Sequence, residues 1–320
     1  MRIPGWKTAK LAGRWLRSRA TGGTMILGYH RVAEPSRDPF NICVSPCHFA
    51  EQMEVLRTKA TPVTLGDLVH GVGTGAARVG SIAVTFDDGY ADVALTAKSV
   101  LQRYEIPATV FVVSGFLGRR FWWDELTDLI HDAPRTADGV VVQPAPQFKV
   151  QLDLTSSTAR FETLDTLYQH LLRLNEPSRR EVLDELGEVT GVAHAVNGAE
   201  TMSDEDVARL ASTDLFTVGS HAASHTPLGN LSDRDQLTEL CESRRHLERI
   251  TGRPVEGLSY PHGSIGANTA QLAHQAGYRW ACSSVPDVAR PRGDLYCLPR
   301  FWIPDWDGER FSRWLSWWKR

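Results

Sequence analysis

Ser81-Ile82-Ala83-Val84-Thr85-Phe86-Asp87-Asp88-Gly89 is the stretch on which the fold turns. Its apolar run reads as a buried strand, and Asp-Asp-Gly reads as the turn that ends it. Chemistry-bearing groups of α/β folds gather where strands end. Consecutive strand residues point to opposite faces, yet at a strand-to-loop turn both carboxylates can reach one cavity. One can then bind a cation while the other stays free to take a proton. Downstream, Phe216-Thr217-Val218-Gly219-Ser220 leads in the same way into His221-Ala222-Ala223-Ser224-His225. Histidines spaced i, i+4 are presented together by one helical turn or by a tight loop. A carboxylate with two imidazoles is the donor set of an open divalent-metal site. Each half alone is ordinary: Asp-Asp-Gly is a common turn or helix cap, and most His-x-x-x-His pairs bind nothing. The two together specify a hydrolytic metal centre.

Outward from these segments the pattern alternates. Met25 to His30 reads as a first strand ending in a histidine, and Pro46 to Lys59 as a helix with Phe49, Met53 and Leu56 on one face. Residues 70–80 are Gly-rich and read as loop. A helix over Tyr90–Tyr104, a strand over Ala108–Val113, a helix over 232–250 opened by Ser232, a strand over 256–260, a helix over 266–276 closed by Gly277 and a strand over 280–283 follow. Such alternation indicates parallel βαβ units. Residues 121–200 break it, with Trp122-Trp123-Asp124-Glu125-Leu126, a Pro/Gly-containing stretch near 133–147 and helical runs over 158–173 and 178–188. They read as a helical insertion.

The chain has 320 residues, long for one domain but suited to a single α/β barrel with an insertion. A net charge of −3 gives no drive toward nucleic acid. No apolar stretch approaches the ~18–20 residues of a membrane span. Five cysteines, an odd count without metal-type spacing, read as buried or free thiols of a reducing compartment, so a cytoplasmic location is expected. Residues 1–23 carry Arg2, Lys7, Lys10, Arg14, Arg17 and Arg19 with no acidic residue, and no apolar core of an export signal follows. They read as a basic amphipathic segment. Residues 304–320 form a Trp-rich, basic tail. Both ends either pack on the barrel or touch an anionic inner-membrane face.

Thr85-Phe86-Asp87-Asp88-Gly89-Tyr90, Gly219-Ser220-His221-x-x-Ser224-His225 and Ser259-Tyr260-Pro261-His262-Gly263, in that order, resemble the polysaccharide deacetylases, the NodB-homology group of carbohydrate esterases. Gly28-Tyr29-His30-Arg31-Val32, Ile106-Pro107-Ala108-Thr109-Val110-Phe111 and Thr251-Gly252-Arg253-Pro254 extend the likeness. It implies a distorted (β/α) barrel of about seven parallel strands, spanning residues 24–303. It further implies Asp87 as base, with Asp88, His221 and His225 as ligands of a divalent metal, Zn²⁺ first, then Co²⁺, Ni²⁺, Mn²⁺ or Fe²⁺. Tyr260 and Pro261 support the third motif, and His262 stands where relatives place a tyrosine whose backbone N–H helps form the oxyanion hole. Two departures matter. Ser259 occupies the place of an arginine that orients the base, leaving Arg300 in Leu298-Pro299-Arg300-Phe301 as the candidate replacement. The C-terminal Leu-x-His that supplies the general acid is absent, since no histidine follows His274. Relatives with a permuted strand order, similar to poly-N-acetylglucosamine deacetylases, take that acid from the N-terminal Tyr-His strand, which points to His30. Trp123 is a further candidate for supporting substrate. The expected activity is removal of N-acetyl groups from an amino sugar in a glycan or glycolipid intermediate. Hydrolysis of a non-sugar amide or imide, or a catalytically silent glycan-binding module, are the alternatives.

Overall fold

The computed structural model describes residues 13–14, 23–145, 148–192 and 201–318. Most of the basic segment expected over residues 1–23 therefore lies outside the described residues. The chain divides into two compact units, Met1–Gly118 with Met202–Arg320, and Arg119–Thr201.

The first unit is built on seven parallel strands: β1 Met25–Tyr29, β2 Ser81–Phe86, β3 Ala108–Val112, β4 Phe216–Ser220, β5 Gly257–Ser259, β6 Trp280–Cys282 and β7 Phe301–Trp302. Their order is β6-β5-β4-β3-β2-β1-β7, with the short strand Thr61–Pro62 added beside β2. The sheet curls so far that Cys282 of β6 bridges Leu298, just before β7. This is a distorted (β/α) barrel. Every residue of β1, β2 and β3 is buried, as expected of parallel strands covered on both faces. Met25, Leu27 and Tyr29 pack outward with Phe49, Met53 and Leu56 of the helix Pro46–Lys59. Ile26, Ala83, Phe111, Trp280, Cys282 and Leu298 form a separate cluster on the other side of the sheet.

Large rings fill that second side because strand glycines make room for them. A Cβ on Gly257 would stand 1.9 Å from the Trp280 ring, one on Gly219 2.5 Å from Phe111, and one on Gly28 2.7 Å from Trp302.

Two local expectations are corrected. Residues 70–80 are not all loop: a helix runs Leu65–Thr74, capped by Thr64 and closed by Gly75 in the left-handed region. Leu65, Leu68, Val69 and Val72 bury one stripe, and that burial outweighs the propensity cost of Gly71 and Gly73. The helix after Asp88 is not uniform, passing through a π-type segment at Val93–Ala97 before Lys98–Tyr104. The tail forms the helix Gly308–Trp318, burying Phe311, Leu315 and Trp318 and leaving Trp317 exposed. Among the described residues no helix is long and apolar enough to cross a membrane.

The second unit holds the helices Trp122–His131, Ser157–Leu171 and Glu176–Thr190. It also contains an antiparallel hairpin, Val141–Ala145 with Phe148–Gln151, where composition suggested only an irregular Pro/Gly stretch. Trp123 is buried here, stacked on Phe121 at 4.1 Å between ring centres.

Replacing Gly257 with alanine should lower stability by about 1–3 kcal/mol, the usual cost of overpacking. A thermal melt checks this, and an unchanged Tm would mean that the Trp280 ring can move aside.

Candidate active site

Asp87 follows the last residue of β2, and its N–H is held by the Tyr29 carbonyl at 2.9 Å. Asp88 and Gly89 then turn the chain with φ of 70° and 84°. The left-handed conformation, which Asp tolerates better than bulkier residues, is what brings both carboxylates to one end of the sheet. The histidine pair is presented by a loop, not a helical turn. His221 follows β4 and its N–H bonds the Val112 carbonyl at 2.8 Å. Ala222 and His225 are left-handed, at φ 62° and 59°. Glu239 holds this loop, one carboxylate oxygen accepting from the N–H groups of Ala223 at 3.0 Å and Ser224 at 2.8 Å.

One oxygen of Asp88 lies 3.4 Å from His221 Nε2 and 3.2 Å from His225 Nε2. The three donor atoms lie within 4.8 Å of one another, and all three residues are buried. His221 Nδ1 stands 2.8 Å from the Ser259 carbonyl. A carbonyl only accepts, so Nδ1 carries the proton, and a neutral His221 turns a bare Nε2 toward Asp88. That Asp88 oxygen has no hydrogen-bond partner in the structure. Two lone pairs facing each other across a buried gap require a proton or a cation between them. Two imidazole nitrogens and a carboxylate, with coordination left over, fit Zn²⁺ and its divalent neighbours. Burial works against the charge on Asp88, but the facing imidazoles of His221 and His225 prevail and hold its pKa well below the usual carboxylate range.

Asp87 is held differently. Arg300, fully buried, grips it with two parallel bonds, Nη1 to Oδ1 at 2.7 Å and Nη2 to Oδ2 at 2.8 Å. The Ser259 hydroxyl donates to Asp87 Oδ2 at 2.8 Å and accepts from Arg300 Nη2 at 2.7 Å. Thr85 Oγ1 accepts from Nη1 at 3.2 Å, and the Ser283 carbonyl from Nε at 3.2 Å. Burial pushes the Asp87 pKa up, yet the charge of Arg300 outweighs it, and the net movement is downward. Asp87 thus stays ionised next to the metal-type cluster, 3.6 Å from His221 Nε2. The arginine absent at position 259 is supplied from the chain just before β7.

His30 immediately follows β1 and is partly exposed. His262 lies in the tight turn Pro261–Gly263 at φ 56°. Its ring sits 4.5 Å from that of His225. Its pKa moves down, through the protein packed about it and then through His225, although part of the ring remains at the surface. A neutral imidazole at neutral pH donates poorly, so the backbone N–H, in a first turn whose amides are not consumed by intrahelical bonds, is what His262 offers. Tyr260 is buried and its hydroxyl donates to the Tyr296 carbonyl at 3.0 Å, making it a strut for the motif. Pro261 is buried at the start of the turn. Trp302 was not singled out by the sequence, yet it stacks on His30 at 4.4 Å and lies 4.7 Å from the Arg300 guanidinium carbon. Its only signal was its place two residues after Arg300.

The family described as "Polysaccharide deacetylase" matches residues 74–134 and 179–281, just over half of the chain. The chain belongs to the polysaccharide deacetylase family. YxkH of Bacillus subtilis (strain 168), a polysaccharide deacetylase by name, is 21% identical over 126 residues, 39% of this chain and 45% of that relative. The match thus spans less than half the length of that relative. Among solved structures, IcaB from Ammonifex degensii superposes with a TM-score of 0.62 at 19% identity, covering 93% of this chain and 97% of that one. A polysaccharide deacetylase from Bacillus cereus gives 0.59 at 19% identity, covering 93% and 70%. At these identities the likeness is one of fold.

Replacing Arg300 with methionine leaves the Asp87 carboxylate buried without its counter-charge. At neutral pH this should cost about 3–5 kcal/mol. A folded-state pKa below the ordinary carboxylate value stabilises the protein above about pH 4 and ceases to do so as pH falls through the folded value. In Arg300→Met the orphaned carboxylate takes up a proton more readily, so the gap from wild type should narrow in acid. Denaturant unfolding at pH 7 and pH 4.5 checks this; a gap independent of pH would count against the pair.

Proposed function

We propose that this protein is a metal-dependent N-deacetylase that acts on an N-acetyl amino sugar within a glycan or a glycolipid intermediate. The observation that carries the reading is the convergence of Asp88, His221 and His225 beside an ionised Asp87 locked by Arg300. A divalent cation bound there would acidify water and polarise the acetyl carbonyl. Asp87 takes the proton from the attacking water. Two bonds from Arg300 and one from Ser259 fix the carboxylate's orientation, so it need not reorganise as it accepts that proton. The backbone N–H of His262 is the group of this chain best placed to meet the developing oxyanion, a role any side chain at that position would permit. Water adds to the carbonyl carbon, the C–N bond breaks, and acetate and a free amine leave. The departing amine needs a proton, and His30 supplies it. Ionised Asp87 as base and a separate imidazole as acid divide the two proton transfers between groups with different environments.

Asp88→Ala, His221→Ala and His225→Ala should each lose metal, because a site with three protein ligands has none to spare. Asp87→Asn should retain metal while acetate release falls by orders of magnitude. Metal content by elemental analysis, alongside acetate release from N-acetylated glycans, glycolipids and small amides, separates these outcomes. Equal metal loss in all four variants would remove the division between base and ligands. His30→Ala should lose roughly 10²–10⁴-fold on an amide, and far less on an aryl acetate whose leaving group needs little protonation.

The cytoplasmic setting and a peripheral contact with an anionic membrane face are part of this proposal. They are supported by the basic N-terminal sequence and by the exposed Trp317. Deleting residues 2–20 should weaken co-sedimentation with anionic vesicles at low salt; unchanged binding would remove the membrane element.

A further inference from the structure

Trp302 touches both His30 and Arg300. Its ring is stacked on His30, with 4.4 Å between ring centres and 19° between planes. The Arg300 guanidinium carbon lies 4.7 Å from the same indole. Register explains the arrangement. Gly28 pairs with Trp302 across β1 and β7, while Arg300 and His30 lie two residues from them along their chains. Side chains two apart share a face, so guanidinium, indole and imidazole meet on one face. Gly28 leaves the space: a Cβ there would stand 2.7 Å from two indole carbons. Arg300 itself is fully buried and committed to Asp87 and Ser259. The indole therefore rests against a guanidinium that cannot move without breaking the carboxylate pair, and it presents its plane to His30, which is only partly covered.

We propose that Trp302 is the positioning residue of the general acid, an inference that rests on the reading of His30 as proton donor. By stacking on His30 while lodged against Arg300, the indole ties the location of the acid to that of the base. Without this plane the imidazole keeps its backbone anchor but gains rotamers, and the fraction of time it faces the leaving nitrogen falls. An alternative use of a partly exposed Trp near a glycan site is stacking on the sugar itself, which would appear in substrate affinity.

The test compares Trp302→Ala and Trp302→Phe with wild type and His30→Ala on an N-acetylated glucosamine oligomer and on an aryl acetate, with metal content checked in each. The inference expects Trp302→Ala to lower kcat on the amide by roughly tenfold to hundredfold, the scale of a misplaced catalytic group. KM and bound metal should be unchanged and ester turnover nearly so, and Trp302→Phe, which keeps a ring plane, should recover most of the loss. In metal-loaded protein the His30 ring proton resonance, shifted upfield by the indole, should move downfield in Trp302→Ala and much less in Trp302→Phe. A rise in KM with kcat intact would make Trp302 a sugar platform and overturn the inference. Equal losses on amide and ester, or no rescue by phenylalanine, would also overturn it. Should His30→Ala itself keep full amide turnover, the acid assignment falls, and that failure is read from His30→Ala alone.

Discussion

The buried pair between Arg300 and Asp87 is the constraint around which the site is organised. Moving a guanidinium and a carboxylate out of water costs several kcal/mol for each ion, and the pair repays this only when geometry is close to ideal and the remaining donors are satisfied. Here both oxygens of Asp87 and all three guanidinium nitrogens are engaged, with Thr85, Ser259 and Ser283 completing the set. Such an arrangement is a poor source of net stability compared with apolar packing. It is an effective way to keep a carboxylate ionised and fixed in orientation, which is what the base proposed here requires. Ser259 extends the constraint further. Its hydroxyl touches Asp87 and Arg300 while its carbonyl faces Nδ1 of His221, so one residue links Asp87 to His221.

Much of this was legible in the chain because it is local. A strand that ends in Asp-Asp-Gly and a strand that ends in a histidine pair each declare their own geometry: burial on both faces forces the apolar run, and the polar residues must fall at its end. The parallel alternation followed from the same periodicities. What was harder to read depends on distance along the sequence. Arg300 and Asp87 are 213 residues apart; the resemblance named Arg300 as the candidate partner, but nothing in the composition near it separates a buried counter-ion from a surface arginine. Trp302 was obscure for the same reason, since its meaning depends on β7 lying against β1. The helix Leu65–Thr74 was hidden differently, because Gly71 and Gly73 suggested a loop while burial of one apolar stripe decided otherwise.

Topology also accounts for the unusual source of the proposed acid. A chain that places its last strand beside its first, in the order β2-β1-β7, brings His30 and Arg300 into the same part of the barrel although one lies near the beginning of the sequence and the other near its end. A general acid must stand across the leaving nitrogen from the base, on a group that does not compete for the metal. Position 30, just past β1, suits the proposed role: the Tyr29 carbonyl before it accepts from the Asp87 N–H, and the His30 ring lies on Trp302, outside the Asp88, His221 and His225 cluster. His262 lacks that separation, since its ring lies against His225. His262 is disfavoured as a proton carrier, since the protein packed about it, and then His225, lowers its pKa. The two histidines beside the site are thus distinguished by what they lean on: His30 by the Trp302 indole, His262 by the ring of His225.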